Sequence, residues 1–328
     1  MNERWIMTVR EFKRQLRSLR SPTNSLGMAS PSPKSLQFFT VDAFASSKGV
    51  FSGNPAGVAL IPKDVHLPDA TLQSIAAEVN LAETAFVTPL DGETFETATH
   101  FSLRWFTPTV EVVLCGHATL ATTHVILNNI KNPASSVSFA TLSGTLVGNK
   151  DPKTNLINIT LPQNPSAELE QTPELTDLLH TLYGENLPKI VALQYNRFLK
   201  FLLIHMEGTE TDLRVIKPDF KQMLEVSKKV DLELGAIIVT VKADEENLDM
   251  CSRLFGPWFG IDEDPVTGAA HTLLGPYWGN ILGKTTLSAR QCSPRTGEME
   301  VTLAEKDGKE VAILAGKSVT VIEGVIHI

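Results

Sequence analysis

Two similar segments, at 116–120 (GHATL) and 268–273 (GAAHTL), constrain the fold of this chain more than any other feature. Each begins with a glycine and continues as an alanine-rich, apolar stretch, which predicts a helix buried on most sides. The two glycines lie 152 residues apart, close to half of the 328-residue chain. We therefore expect a duplicated domain, and a chance similarity of two short alanine-rich helices is the alternative.

Predicted strands dominate the remainder of the chain. Short apolar runs bounded by turn residues predict strands at 36–44, 50–62, 85–87, 100–106, 137–140, 144–148, 156–161, 190–194, 200–206 and 235–241. An amphipathic pattern predicts a helix from Asp69 to about Asn80, and a further helical stretch lies near 219–226. Strands around one apolar helix per half indicate an α+β fold more than alternating βαβ units.

Length and turn residues suggest two domains, because about 150 residues is a typical domain size. Two prolines and an acidic stretch after position 161 predict a linker. We expect an N-terminal domain over 36–162 and a C-terminal domain over 163–312. Residues 313–328 form a terminal segment that we expect to pack back on the first domain.

Residues 1–35 differ from the rest in composition, being rich in arginine, serine and proline and poor in acids. Such a composition is typical of an organelle transit peptide, and the alternative is an unstructured extension with Met28 as the start of a shorter form. We expect a cytoplasmic protein, with organelle targeting by residues 1–35 as the other possibility. The segment lacks the apolar core of a secretory signal.

Charge and composition exclude several classes of partner. The net charge of −8 gives no electrostatic reason to bind nucleic acid or an anionic membrane. No apolar run is long enough to span a bilayer, and no GxGxxG or GxxxxGK[ST] motif supports a nucleotide site. Cys115, Cys251 and Cys292 are too widely spaced for a CxxC motif or a disulfide framework, and we predict no metal site.

The two glycine turns suggest how a ligand could be held. A helix N-terminus presents free N–H groups and partial positive charge, and a glycine there lets an anion approach closely. Two such ends facing one another would hold a small carboxylate. The alternative is that both glycines serve only tight turns.

Five segments together carry a family resemblance: VDAF at 41–44, FSGNPAGVAL at 51–60, IAAEVNLAETAFV at 75–87, RWFTPTVEVVLCGHATLATTHVI at 104–126 and DEDPVTGAAHTLLGPYW at 262–278. In this order they resemble the PhzF (phenazine biosynthesis-like) family. The resemblance implies a diaminopimelate-epimerase-like fold of two related domains, each an antiparallel sheet curled around a central helix, with the active site in the cleft between them. It begins at Leu36 and excludes the N-terminal extension.

The resemblance also implies a cofactor-independent isomerase that acts on a small carboxylate substrate by acid/base proton transfer. Glu83 matches the proton-transferring glutamate of the family, and His117 and Asp264 match its substrate-contacting histidine and aspartate. The backbone amides at Gly116, Gly268 and Ala269 complete the predicted substrate-binding residues. A carboxyl group suits both proton transfers only if burial brings its pKa toward neutrality. We expect a homodimer, since dimers are the commonest assembly.

Ala269 departs from the family pattern, because members often carry serine after the TG dipeptide. A hydroxyl that could bind substrate or relay a proton is therefore missing, which puts the best-known reaction of the family in doubt for this chain. One alternative is an amino-acid racemase or epimerase with two cysteines, but Cys115 has no second thiol in the turn at Pro265 and Val266. The other is a binding protein without catalytic activity.

Overall fold

A computed structural model describes residues 35–328 except 48, 50 and 93. The predicted N-terminal extension lies outside the described residues. In the first half the elements are β1 (Ser35–Ala43), β2 (Asn54–Leu60), α1 (Asp69–Val79), β3 (Glu83–Pro89), β4 (His100–Phe106), β5 (Glu111–Val112), α2 (Gly116–His124), β6 (Ser136–Thr141), β7 (Gly144–Lys150) and β8 (Ile157–Pro162). In the second half they are β9 (Ala167–Glu168), α3 (Pro173–Tyr183), β10 (Ile190–Asn196), β11 (Phe201–Met206), α4 (Glu210–Arg214), α5 (Phe220–Ser227), β12 (Ala236–Lys242), β13 (Met250–Gly256), β14 (Ile261–Asp264), α6 (Gly268–Leu282), β15 (Thr286–Gln291), β16 (Gly297–Lys306), β17 (Lys309–Gly316) and β18 (Ser318–His327).

The chain divides into two units, and neither is one continuous stretch of sequence. The first unit contains the described residues up to Ala43 together with Pro55–Ile159 and Ser318–Ile328. The second contains Phe44–Asn54 and Thr160–Lys317. The predicted boundaries at 162 and 312 therefore differ from these divisions by a few residues, and the segment 44–54 belongs to the second unit instead of the first.

In the first unit α2 is the buried helix, as its apolar sequence predicts. Its residues Gly116–Thr123 are all buried, and the helix packs against β1, β3 and β7. Gly148 of β7 permits this close packing, because a Cβ atom there would lie 2.2 Å from the Thr123 Oγ1. Helix α1 buries Leu72 and Ile75 on one face, as the amphipathic pattern predicts. It ends at Asn80, which adopts the left-handed conformation.

In the second unit α6 takes the corresponding place. It packs against β15, β16 and β17, and it ends at Gly283, whose φ of +65° suits a glycine. Separately, helices α3 and α5 pack on each other beside a second cluster of buried apolar side chains. Helix α3 was not predicted from the sequence, and it begins where the Thr172 hydroxyl accepts a hydrogen bond from the Leu175 N–H.

The two units repeat one order of strands. In the first, β2 runs parallel to β3, β4 is antiparallel to β3, and β6 lies parallel to β4 after the connection through β5 and α2. In the second, β11, β12, β13 and β15 pair in the same directions, with β14 and α6 in the connection. The expected fold class, sheet strands around a central helix in each half, is confirmed.

Candidate functional site

Glu83 is the first residue of β3, directly after the turn that follows α1. Its strand runs parallel to β2, with Ala56 opposite Glu83. The side chain is only 15% exposed, although the residue is a carboxylic acid. A charged side chain so placed requires polar neighbours, because desolvation penalises the ionised form.

His117, the second residue of α2, supplies such a neighbour. Its Nε2 atom lies 3.3 Å from the Glu83 Oε2 atom, and its Nδ1 atom lies 3.5 Å from the Cys115 Sγ atom. Burial lowers the pKa of His117 to about 3, so the ring is neutral at physiological pH. A neutral ring whose Nδ1 accepts from the Cys115 thiol carries its hydrogen on Nε2, the nitrogen that lies nearest to Glu83.

The same three side chains have the donor types of a metal site, since their ligand atoms all lie within 4.8 Å of one another. Glu83 and Cys115, however, meet different nitrogens of the imidazole ring. In the observed positions, a metal bound through one nitrogen would therefore lie beside only one of these two side chains. The observed geometry is a row in which the thiol hydrogen-bonds to the imidazole and the carboxylate lies 3.3 Å beyond the ring.

Asp264, in the second unit, ends β14 just before α6. Its Oδ1 atom accepts a hydrogen bond of 2.8 Å from the Asn54 Nδ2, and its Oδ2 atom accepts from the Thr267 hydroxyl. Burial raises the pKa of Asp264 to about 6, and the charge of Glu263 acts in the same direction. The hydrogen bonds from Thr267 and Asn54 oppose this rise, because they stabilise the carboxylate form.

The turn from Asp264 to Gly268 is held by side chains from beyond β14. Gln291 accepts from the Thr267 N–H at 2.8 Å and donates to the Asp264 carbonyl at 2.7 Å. Ser293 donates to the Pro265 carbonyl at 2.8 Å. These contacts fix the backbone that presents Asp264 at one end and the start of α6 at the other.

The predicted site residues fall into two groups, one in each unit. Glu83, Gly116 and His117 lie in the first unit, and Asp264, Gly268 and Ala269 lie in the second. The contact of Cys115 with His117 and the roles of Asn54 and Gln291 were not predicted from the sequence. The GNPAG turn contained Asn54, but nothing in the sequence indicated that it would meet a residue 210 positions away.

Several known proteins resemble this chain in sequence and in fold. The family model described as phenazine biosynthesis-like protein matches residues 41–324. An uncharacterized isomerase of Pseudomonas aeruginosa is 39% identical over 293 residues, covering 89% of this chain and 99% of the relative. The human phenazine biosynthesis-like domain-containing protein is 38% identical over 298 residues, with the same coverage. A crystal structure of a PhzF-family protein from Enterococcus faecalis superimposes with a TM-score of 0.75 at 35% identity, covering 90% of this chain and all of the other.

Proposed function

The chain belongs to the phenazine biosynthesis-like (PhzF) family, and from this premise we propose that it is a cofactor-independent isomerase of a small carboxylate. The observation that carries the proposal is the position of Glu83. A carboxyl group that is 15% exposed lies 3.3 Å from a neutral imidazole at the start of a buried helix. We propose that Glu83 takes a proton from one carbon of the substrate and returns it to another.

The surroundings of Glu83 suit both proton transfers. Exclusion of water strengthens each electrostatic contact of the carboxylate and keeps the transferred proton from exchanging freely. A neutral His117 beside Glu83 adds no full positive charge, which would hold Glu83 in its ionised form. In this proposal His117 orients Glu83 and also contacts the substrate.

Helices α2 and α6 support the binding of a carboxylate. Within the described part of the chain, neither the Cys115 nor the Thr267 side chain caps the amides of the helix that it precedes. N–H groups of a first turn that lack a side-chain cap favour an anion. We propose that the amides at Gly116 and at Gly268 and Ala269 bind the anionic substrate, and that Asp264 hydrogen-bonds to it.

Ala269 limits the reaction that we propose for this chain. Its backbone N–H needs no side chain to contact a carboxylate, so substrate binding through the amides is compatible with alanine. A proton relay through a hydroxyl group at position 269 is not compatible with alanine. We therefore propose a reaction in which Glu83 makes both transfers.

A two-thiol racemase mechanism fits less well. Cys115 precedes α2, and the residue that precedes α6 in the same way is Thr267, whose hydroxyl binds Asp264. A threonine hydroxyl is far less acidic than a thiol and does not replace the second cysteine. The Thr267 position therefore favours a one-base mechanism through Glu83.

Exchange of substrate hydrogen with solvent deuterium tests the proposal. A panel of small cyclic and acyclic carboxylates is incubated in deuterium oxide with the wild type, Glu83→Gln and Glu78→Gln, and deuterium uptake is measured by mass spectrometry. Glu78 is an exposed glutamate of α1 and serves as the matched control. We expect exchange with wild type and Glu78→Gln, and a loss of at least about 10²-fold to 10⁴-fold in Glu83→Gln.

Two outcomes would contradict the proposal. Exchange by Glu83→Gln within a few-fold of wild type would exclude Glu83 as the proton carrier and direct attention to Cys115. Carboxylates that bind to the wild type and never exchange would indicate a binding protein built on this fold. Binding by Glu83→Gln, measured calorimetrically, shows that a lost exchange is not a lost site.

A further inference from the structure

Two cysteines that are distant in the sequence come together in the second unit. Cys251 is in β13 and Cys292 directly follows β15, and these strands run parallel with Cys251 opposite Arg290. The Cys292 N–H donates to the Ser252 carbonyl at 2.7 Å, which continues the register past the end of β15. Because side chains two positions apart share a face of a strand, Cys292 lies on the face of Arg290 and of Cys251.

A carboxylate from a third element completes the group. Glu210 is the first residue of α4, and its Oε2 atom lies 3.5 Å from the Cys251 Sγ atom. A carboxylate oxygen of Glu210 and the two sulfur atoms all lie within 4.8 Å of one another. Helix α4 is itself fixed by a capping box at Thr209, so Glu210 has a defined position relative to both strands.

These distances match those of a zinc site. Zinc binds thiolate sulfur at about 2.3 Å and carboxylate oxygen at about 2.0–2.2 Å, and tetrahedral angles then separate neighbouring sulfur and oxygen ligands by about 3.5–3.7 Å. The observed separation between Glu210 and Cys251 is 3.5 Å. Two soft sulfur ligands and one oxygen ligand also suit zinc better than magnesium or calcium, which prefer oxygen alone.

The charges around the group are compatible with a buried dication. Arg290 and Arg214 both bind Glu210, at 2.8 Å and 2.7 Å, and Arg290 also pairs with Glu245 and Glu298. When zinc displaces the two thiol protons, two negative charges and two positive charges are added, so the net charge of the group does not change. The cysteines are buried, whereas Glu210 is partly exposed and offers the path of entry.

We propose that Glu210, Cys251 and Cys292 bind one zinc ion, with water as the fourth ligand. Binding releases the two thiol protons to solvent and forms two zinc–sulfur bonds and one zinc–oxygen bond, with no change of oxidation state. The ion joins α4 to β13 and to the end of β15. It therefore stabilises the second unit, and the site is independent of the function proposed for Glu83.

Zinc binding by the reduced, metal-free protein tests the proposal. The full chain is prepared with a chelator and a phosphine reductant, and zinc is titrated in competition with a chromophoric chelator. The wild type, Cys251→Ala, Cys292→Ala and Cys115→Ala are compared. Cys115→Ala is the matched control, because Cys115 belongs to the other group of possible ligands.

We expect one equivalent of zinc in the wild type and in Cys115→Ala, and at least about a tenfold loss of affinity in the other two variants. Cobalt in place of zinc should give a thiolate-to-metal charge-transfer absorption that both of those variants weaken. Saturating zinc should raise the melting temperature of the wild type by about 5 °C and leave that of Cys251→Ala unchanged.

Either of two results would overturn the proposal. If no zinc binds at micromolar concentration, the Cys251 thiol only donates a hydrogen bond to Glu210. If the metal is lost in Cys115→Ala and kept in Cys251→Ala, it binds beside Glu83. Circular dichroism of the metal-free variants establishes that each has folded, so that lost binding reports a lost ligand.

Discussion

Arg104 in the first unit and Arg253 in the second occupy equivalent positions. Each guanidinium binds a glutamate of the next short strand through two hydrogen bonds of 2.7 and 2.8 Å: Glu111 for Arg104 and Glu263 for Arg253. Each also lies over the ring of the phenylalanine two residues later, at 5.0 and 4.8 Å. Five residues after each glutamate a buried helix begins, so the pair fixes the strand that leads into it.

The two arginines should nevertheless differ in their contribution to stability. Arg253 is 8% exposed and also donates to the Leu213 and Ile216 carbonyls, whereas Arg104 is 16% exposed and its third partner is the exposed Asp69. We expect Arg253→Met to lower the free energy of unfolding by about 3–5 kcal/mol, because it leaves Glu263 and the carbonyls unpaired. Arg104→Met should lower the free energy of unfolding by less. Urea denaturation measures both.

Lys200→Met is the control for these variants, since Lys200 pairs with Glu233 at the surface. It should change the free energy of unfolding by less than about 1 kcal/mol. Equal costs for Arg104→Met and Arg253→Met would show that the buried carbonyl contacts of Arg253 contribute nothing.

Asn54 should control the ionisation of Asp264. Asn54→Leu keeps the approximate volume and removes the 2.8 Å hydrogen bond to the carboxylate, so the pKa of Asp264 should rise above about 6. Titration of the labelled carboxyl carbon by NMR measures the shift, and no substrate is needed. Asn247→Ser, at an exposed position, is the control and should leave the pKa unchanged. A fall in the pKa, or no change, would contradict the role of Asn54.

Buried histidines should make the protein sensitive to acid. Burial lowers the pKa of His117 to about 3 and that of His271 to about 4, below the value near 6.5 of an unfolded chain. Between pH 6.5 and 4 the unfolded chain therefore binds more protons, and stability falls as the pH falls. Each such histidine contributes a slope of up to about 1.4 kcal/mol per pH unit.

The raised pKa of Asp264 opposes this slope, because the folded chain binds the additional proton between about pH 4 and 6. Denaturation at a series of pH values measures the net effect. His271→Gln should flatten the profile below pH 6.5, whereas His66→Gln, at an exposed position, should not. An unchanged profile for His271→Gln would contradict this account.

Gly297 should be intolerant of a side chain for steric reasons. A Cβ atom there would lie 2.3 Å from Val266 Cγ2 and 2.5 Å from the Phe44 carbonyl oxygen. We expect Gly297→Ala to cost about 1–3 kcal/mol and to displace the turn that presents Asp264. Gly324→Ala, with nothing within 4 Å, is the control for denaturation. A stability of Gly297→Ala equal to that of the control would show that the backbone relaxes freely.

Local patterns in the sequence were sufficient to predict the helices that bury one face or all faces. The repeat of Leu72 and Ile75 predicted α1, and the apolar run after Gly116 predicted α2, because burial determines the residue types at those positions. The sequence also carried the signal for α3, in which Leu175, Leu178 and Leu182 lie on one face after a threonine cap. The two prolines and the acidic residues before it instead predicted a linker.

The sequence could not indicate contacts between residues that only the fold brings together. The hydrogen bond from Asn54 to Asp264 spans 210 residues, and the proximity of His117 to Glu83 requires α2 to pack on β3. No local pattern encodes either distance. The family resemblance named the residues, and the packing of the first unit supplied the reason that Glu83 meets a neutral imidazole.

The pairing of β18 with β1 affects how the chain folds during its synthesis. All nine residues of β1 pair with β18, and the partners are separated by nearly the whole described chain. Until β18 has left the ribosome, the second unit can already form its strands, but β1 has no β18 to pair with. The first unit to be translated is therefore the last to be completed, and a nascent chain exposes an open sheet edge until β18 is synthesised.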